Sequence, residues 1–191
     1  MNASPPTAGS ASAVEVDDDR ATEPAVRIER AFARYQKELL GTLYHLIGNI
    51  EDAQDALQEA FVKCWRHRDE IAEVECLRAW IYRVVLNTGR DLRQSAWKRK
   101  SRSMDEPTAH ALKSSVAEPV TDSLRREEVA QLRQALLDLR PEEKEVFLLR
   151  ENGDLTYDQM AELLGIPVGT VKTRMRAALA RLRGVLGVSP A

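Results

Sequence analysis

Between Asp52 and Arg102 the apolar residues return every third or fourth position, and the charges between them change sign halfway along. That spacing is the imprint of helices with about 3.6 residues per turn, so the stretch folds as two amphipathic helices rather than as strands. In the first, Ala53, Ala56, Leu57, Ala60, Phe61, Cys64 and Trp65 share one side, and Asp52, Asp55, Glu59 and Arg66 share the other. Three carboxylates thereby line one exposed face. In the second, Leu77, Ile81, Val84, Val85, Thr88 and Leu92 face inward, opposite Arg83, Asn87, Arg90 and Gln94. From Arg78 to Arg102 there are eight Arg or Lys and one acid, Asp91, with Trp80, Tyr82 and Trp97 set among them. Cations that follow phosphates, with rings that stack on unpaired bases, suit a groove for single-stranded nucleic acid.

The net charge of −2 over 191 residues hides how strongly charge is segregated. The first 27 residues carry five acids and two bases, whereas residues 168–183 carry five bases and no acid. Regional charge is therefore the informative quantity. With 43% hydrophobic and 30% charged residues, the chain builds small cores under wide charged surfaces. Two cysteines do not make a disulfide scaffold, which fits a reducing compartment. No apolar run approaches membrane-spanning length, and the N-terminus lacks a basic-then-apolar leader pattern. These features together read as a cytoplasmic protein with no membrane insertion.

Residues 1–25 are rich in Ala, Ser, Pro, Thr and Asp and have almost no large apolar side chains. They cannot bury enough surface to offset ordering entropy, and so read as a disordered acidic tail. From Val26, the residues Ile28, Phe32, Tyr35, Leu39, Leu43 and Leu46 recur at helical steps, giving a long helix that ends near Gly48. Asn49 can cap the acidic helix that follows. The stretch His67 to Cys76 has no clear period and reads as a loop. Residues 26–102 thus form one helical lobe. Residues 103–121 lack apolar periodicity and read as a flexible linker.

A second lobe spans residues 122–187. Leu132, Leu136 and Leu139 form a stripe, Pro141 opens a helix with Val146, Phe147 and Leu149 inside, and Asn152-Gly153 stops it. Thr156 and Gln159 make a capping box for a helix that buries Met160, Leu163 and Leu164. Gly165 suits a left-handed turn, Ile166 plugs the corner, and Pro167 opens a last helix with Val168, Val171, Met175, Leu179, Leu182 and Leu186 inward. Thr170, Lys172, Thr173, Arg174 and Arg176 lie on or beside its outer side. Helix, short Gly turn, and helix with a basic first half together describe a helix-turn-helix, whose second helix enters the DNA major groove. The fold class is all-α, two small helical domains joined by a flexible linker.

Three segments in this order resemble the sigma-seventy family of bacterial RNA polymerase initiation factors, in its compact extracytoplasmic-function type. Asp52-Ala-Gln-Asp-Ala-Leu-Gln-Glu-Ala-Phe61 is similar to the polymerase-docking helix, with Gln54 where an acid is common. Ala79 to Asn87, followed by Asp91 and Arg93, is similar to the promoter-melting helix. Leu155 to Arg174 is similar to the helix-turn-helix that reads the minus-thirty-five element. The resemblance covers most of residues 26–186, its lobes being sigma regions 2 and 4.

The resemblance implies roles for particular residues. Asp52, Asp55, Gln58, Glu59 and Phe61 would engage the clamp helices of the polymerase largest subunit. Arg83, Asn87, Arg90 and Gln94, beside the loop from His67 to Cys76, would hold the unpaired minus-ten strand. Thr170, Lys172, Thr173, Arg174 and Arg176 would contact the minus-thirty-five duplex. The implied partners are core RNA polymerase (clamp helices and flap region), promoter DNA that is double-stranded upstream and single-stranded at minus-ten, and an anti-sigma protein.

Other chemistries find little support. Cys64, His67 and Cys76 could supply three zinc ligands, but a fourth is not evident and Cys64 lies on the buried stripe. His45 and His110 have no nucleophile in a recognisable setting, and no Gly-rich phosphate loop is present. A metal site at Asp52, Asp55 and Glu59 lacks the histidine and second carboxylate helix of di-iron bundles. No catalytic residue, metal or cofactor is therefore expected. The alternative function is a stand-alone helix-turn-helix transcription regulator, which would need no acidic docking helix.

Overall fold

The computed structural model describes residues 23–102 and 123–186, and side chains at 23–95 and 130–185. All of the regular structure among them is helical. Helix α1 (Pro24–Ile47) ends at Gly48, whose φ of 87° is the left-handed conformation glycine adopts without strain. Asn49 follows at once, and its side chain accepts hydrogen bonds from the Glu51 and Asp52 amides at 2.8 and 3.4 Å, starting α2 (Ile50–Arg66). A two-residue connection therefore folds α2 back on α1. The buried side of α2 is small, with Ala53, Ala56, Ala60 and Cys64 all fully buried, which lets the helices approach closely.

Helix α3 (Leu77–Arg102) completes the first lobe against both neighbours. Gly89 of α3 lies close against α1, where an added Cβ would stand 3.1 Å from Leu43 Cδ2. The stretch expected to be a loop before α3 is instead ordered. Arg68–Glu73 forms a 3₁₀ helix whose Ile71 is fully buried, and one apolar side chain in a short helix gives no period to read.

The second lobe contains α4 (Ser123–Asp138), α5 (Pro141–Glu151), α6 (Tyr157–Leu164) and α7 (Val168–Leu186). Its punctuation follows the sequence. Thr156 and Gln159 exchange both capping-box bonds, and Gly165 is left-handed at φ 65°. At the end of α5, Gly153 is required by proximity, since a Cβ there would sit 2.5 Å from the Leu149 carbonyl oxygen. Arg150 fastens this turn by donating to the Leu155 carbonyl at 2.9 Å.

The two lobes pack on each other, where the sequence suggested independent cores. Buried residues of α1–α3 and of α5–α7, among them Leu43, Val85, Leu149 and Met160, form one contiguous cluster. A smaller cluster of Ala135, Leu136, Leu139, Ala178 and Leu182 seals α4 to α7. Helix order begins at Pro24, two residues inside the segment expected to be a tail. Residues 1–22 of that tail, and the expected linker at 103–121, lie outside the described residues.

Candidate docking and nucleic-acid surfaces

The outer side of α2 carries Asp52, Asp55, Gln58 and Glu59, all exposed, while its apolar side faces α1 and α3. Glu59 pairs with Lys63 at 2.8 Å. Lys63 reaches across to α3, donating to Thr88 Oγ1 at 3.2 Å and lying 3.9 Å from Asp91. This cross-link holds the acidic ridge in fixed register with the basic helix. Phe61 is turned inward: its ring meets that of Phe32 edge-on at 5.1 Å and lies 5.9 Å from that of Trp65. It shapes the ridge from beneath. Val62, unremarked in the sequence reading, is 44% exposed beside the carboxylates. Its signal was an apolar residue on the polar side of the wheel.

On α3, Arg83, Asn87 and Gln94 are exposed and Arg90 is half-buried. Arg90 and Asn87 stand together, with Nη1 donating to Asn87 Oδ1 at 3.2 Å. The rest of the Arg90 guanidinium grips Glu145 of α5, Nε to Oε1 at 2.8 Å and Nη2 to Oε2 at 2.6 Å. That hydrogen-bonded pair raises the pKa of Arg90 above its ordinary value. Arg83 Nη2 donates to the Glu162 carbonyl of α6 at 3.3 Å. The second lobe thus occupies two of the four residues expected to hold a single strand.

Of the aromatic side chains among the cations, Tyr82 departs from the sequence reading. Tyr82 is fully buried and donates its hydroxyl to the Asn152 carbonyl at 2.7 Å, so it has no face for a base. Burial pushes its pKa up. Trp80 is half-buried against the core. The side chain of Trp97 is outside the described residues.

In the helix-turn-helix, Lys172, Thr173 and Arg176 are exposed, while Thr170 and Arg174 are half-buried. Thr173 Oγ1 donates to the Gly169 carbonyl of its own helix at 2.9 Å. Tyr157 at the start of α6 is flanked by two cations: Lys172 Nζ and Arg150 Cζ lie 6.0 and 5.9 Å from its ring centroid. Both distances sit at the outer range of a cation–π contact.

Beside the apolar core that the lobes share, the polar contacts between them centre on Asn152. Its carbonyl also accepts from Arg78 Nη2 at 3.2 Å, and its side-chain amide donates to Thr42 Oγ1 at 3.0 Å. Arg78 further pairs with Asp154 at 3.6 Å and covers the Tyr35 ring at 4.5 Å. Nearby, His45 is held at a pKa of about 4, first by burial and then by the positive charges of Lys144 and Arg133.

The three groups weighed for zinc have other partners or surroundings, Cys76 Sγ accepting from the Ala79 amide at 3.5 Å. Cys64 is buried in the first lobe, which pushes its thiol up to about 12, and His67 Nδ1 pairs with Glu70 at 2.7 Å. Among the described residues no cluster of three or more His, Cys, Asp or Glu could hold a metal.

Comparison with known proteins agrees with this geometry. Residues 31–99 match the family model for Sigma-70 region 2, and residues 130–182 that for Sigma-70, region 4. The chain is 30% identical over 151 residues to the RNA polymerase sigma-H factor of Pseudomonas aeruginosa, covering 74% of this chain and 77% of that one. It is 32% identical over 148 residues to the RNA polymerase sigma-E factor of Streptomyces avermitilis, covering 78% of each. An ECF RNA polymerase sigma-E factor of Haemophilus influenzae is 25% identical over 161 residues, covering 75% of this chain and 78% of that one. In fold it is similar to the sigma factor RpoE, solved in complex with the anti-sigma factor NepR from Bartonella quintana. That likeness has a TM-score of 0.67 at 21% identity and covers 85% of this chain and 98% of that one. With an acidic ridge and a basic helix in one lobe and a helix-turn-helix in the other, the chain belongs to the sigma-70 family of RNA polymerase sigma factors, in its extracytoplasmic-function type.

Proposed function

We propose a division of labour in which each surface carries one step of promoter-directed initiation. The exposed ridge of Asp52, Asp55, Gln58 and Glu59 docks on the clamp helices of the polymerase largest subunit, with Val62 supplying an apolar centre. An apolar contact ringed by polar groups is the usual anatomy of a protein interface. Phe61 supports this ridge through its packing on Phe32 rather than by touching the partner. Arg83, Asn87, Arg90 and Gln94 hold the unpaired minus-ten strand. Thr170, Lys172, Thr173, Arg174 and Arg176 meet the minus-thirty-five duplex, in which an arginine bidentate to guanine distinguishes bases and a phosphate contact does not. The second lobe also engages the polymerase flap.

The observation that carries this reading is the Lys63 cross-link, which keeps an acidic protein-docking face and a cationic helix side by side in one lobe. A stand-alone helix-turn-helix regulator has no use for such a pair. The factor itself is not an enzyme; RNA synthesis belongs to the polymerase. It acts in the bacterial cytoplasm, and an anti-sigma protein is a fitting partner, as for the RpoE factor solved with NepR. The test is run-off transcription with purified core polymerase on pooled promoter fragments. Specific start sites that appear only with this protein support the reading; duplex binding without added starts would return it to the plain regulator.

A further inference from the structure

We propose that Gly169 and Thr173 form a shallow apolar notch on the outer side of α7, and that this notch reads the C5 methyl of a thymine in the minus-thirty-five duplex. The inference rests on the assignment of α7 to that duplex made above. It deepens that assignment by naming the base and the group on it that is read.

Thr173 is exposed, and its Oγ1 donates to the Gly169 carbonyl one turn back at 2.9 Å. That bond fixes the rotamer and uses the only hydrogen the hydroxyl can donate. No hydrogen is left for the acceptors on guanine or for O4 of thymine, whereas the γ-methyl is held in one orientation. A fixed methyl is the kind of partner that the thymine C5 methyl takes in the major groove, where it is the apolar mark on a base edge.

Gly169 lies four positions before Thr173 and so shares its face of the helix. It is exposed, its backbone is not left-handed, and a Cβ built there would meet nothing within 4 Å. Neither backbone conformation nor packing within the chain therefore calls for glycine, which lowers helix stability relative to alanine. A surface that comes close to the bare backbone from outside accounts for it, and a base edge in the groove is such a surface. Lys172 and Arg176, next to Thr173 in sequence and about one turn on, are exposed cations. Cations answer to phosphates whatever the sequence, so the apolar notch between them supplies discrimination that phosphate contacts lack.

The test uses the full chain with core polymerase and a promoter that it selects in run-off transcription. Each thymine of the upstream element is replaced in turn by deoxyuridine, which lacks only the C5 methyl. The expected result is one position at which the wild type loses about fourfold in affinity, the worth of one methyl taken out of water. Thr173→Ser, which keeps the hydroxyl and drops the methyl, should bind thymine and deoxyuridine equally there. Thr173→Val makes the reverse change and should keep the wild-type ratio, since valine in a helix holds a single rotamer. Gly169→Ala should melt higher than the wild type and yet bind the promoter more weakly, a pairing that a purely structural glycine would not give. Indifference of the wild type to deoxyuridine at every position, or a ratio that survives in Thr173→Ser, would overturn the notch and leave promoter-directed initiation standing. A ratio lost in Thr173→Val would overturn it by giving the contact to the hydroxyl, and undiminished promoter binding by Gly169→Ala would overturn the close approach. The absence of any selected promoter would strike the wider reading, and this one with it.

Discussion

The hydroxyl of Tyr82 lies 2.7 Å from the carbonyl oxygen of Asn152, a contact that joins positions 70 residues apart. It converts an aromatic residue in a run of cations into part of a seam. The ring is buried, and its one polar atom is answered by a main-chain acceptor, which is how a tyrosine comes to rest inside a protein. The face that α3 leaves to solvent is correspondingly narrower than its sequence suggests.

Reversing the ridge tests docking. Asp52→Lys with Asp55→Lys is expected to abolish co-purification with core polymerase, and circular dichroism should be unchanged because both side chains are exposed. Val62→Ser should weaken the same interaction by about 1 kcal/mol, through loss of an apolar contact, with little effect on melting temperature. Wild-type polymerase affinity in the double reversal would refute the assignment.

Arg174→Ala and Arg176→Ala address the duplex. Each is expected to weaken promoter binding, by ~1–3 kcal/mol where the arginine reads a base and with a reduced salt slope where it touches phosphate. Titrations at several salt concentrations separate the two roles. Affinity equal to wild type at every salt concentration would refute both.

Gly153→Ala strikes the turn that presents Asn152. The new Cβ would meet the Leu149 main chain at 2.5 Å, and backbone cannot yield as a flexible side chain can. We expect a stability loss of ~1–3 kcal/mol, measured by urea unfolding. A neutral result would show that the α5 terminus relaxes freely.

His45 predicts a pH dependence. Its pKa, lowered to about 4 in the folded chain against an ordinary 6.5, means that the folded state binds fewer protons than the unfolded one. The stability tied to neutral His45 is therefore fully present above pH 6.5 and is lost as pH falls toward 4. Thermal melts in that window should decline less for His45→Gln than for the wild type. Parallel curves would mean that acid loss is carried by other groups.

Much of the fold was legible because its signals are local. Gly48, Asn49, Thr156, Gln159 and Gly165 each act on backbone within a few residues, and each does in the structure what its chemistry requires. The helix-turn-helix was legible for the same reason, and so was the exposed face of Asp52, Asp55 and Glu59. What escaped is non-local. Tyr82 and Leu86 are buried on a side of α3 that a single-lobe wheel leaves partly open, because the second lobe arrives there. Arg90 reads as a free cation until Glu145, 55 residues on, is brought beside it. Ile71 alone could not announce a 3₁₀ helix. Phe61 was legible as apolar, but only the Phe32 ring shows which way it turns.

The three buried charges at the start of α5 have one more consequence. Successive side chains leave a helix about 100° apart, so Glu143, Lys144 and Glu145 point in three directions, toward α7, toward the end of α4 and toward α3. Turning α5 about its own axis would unseat all three at once, and each would be a partly buried charge without a counterpart. The trio thus works as a rotational detent.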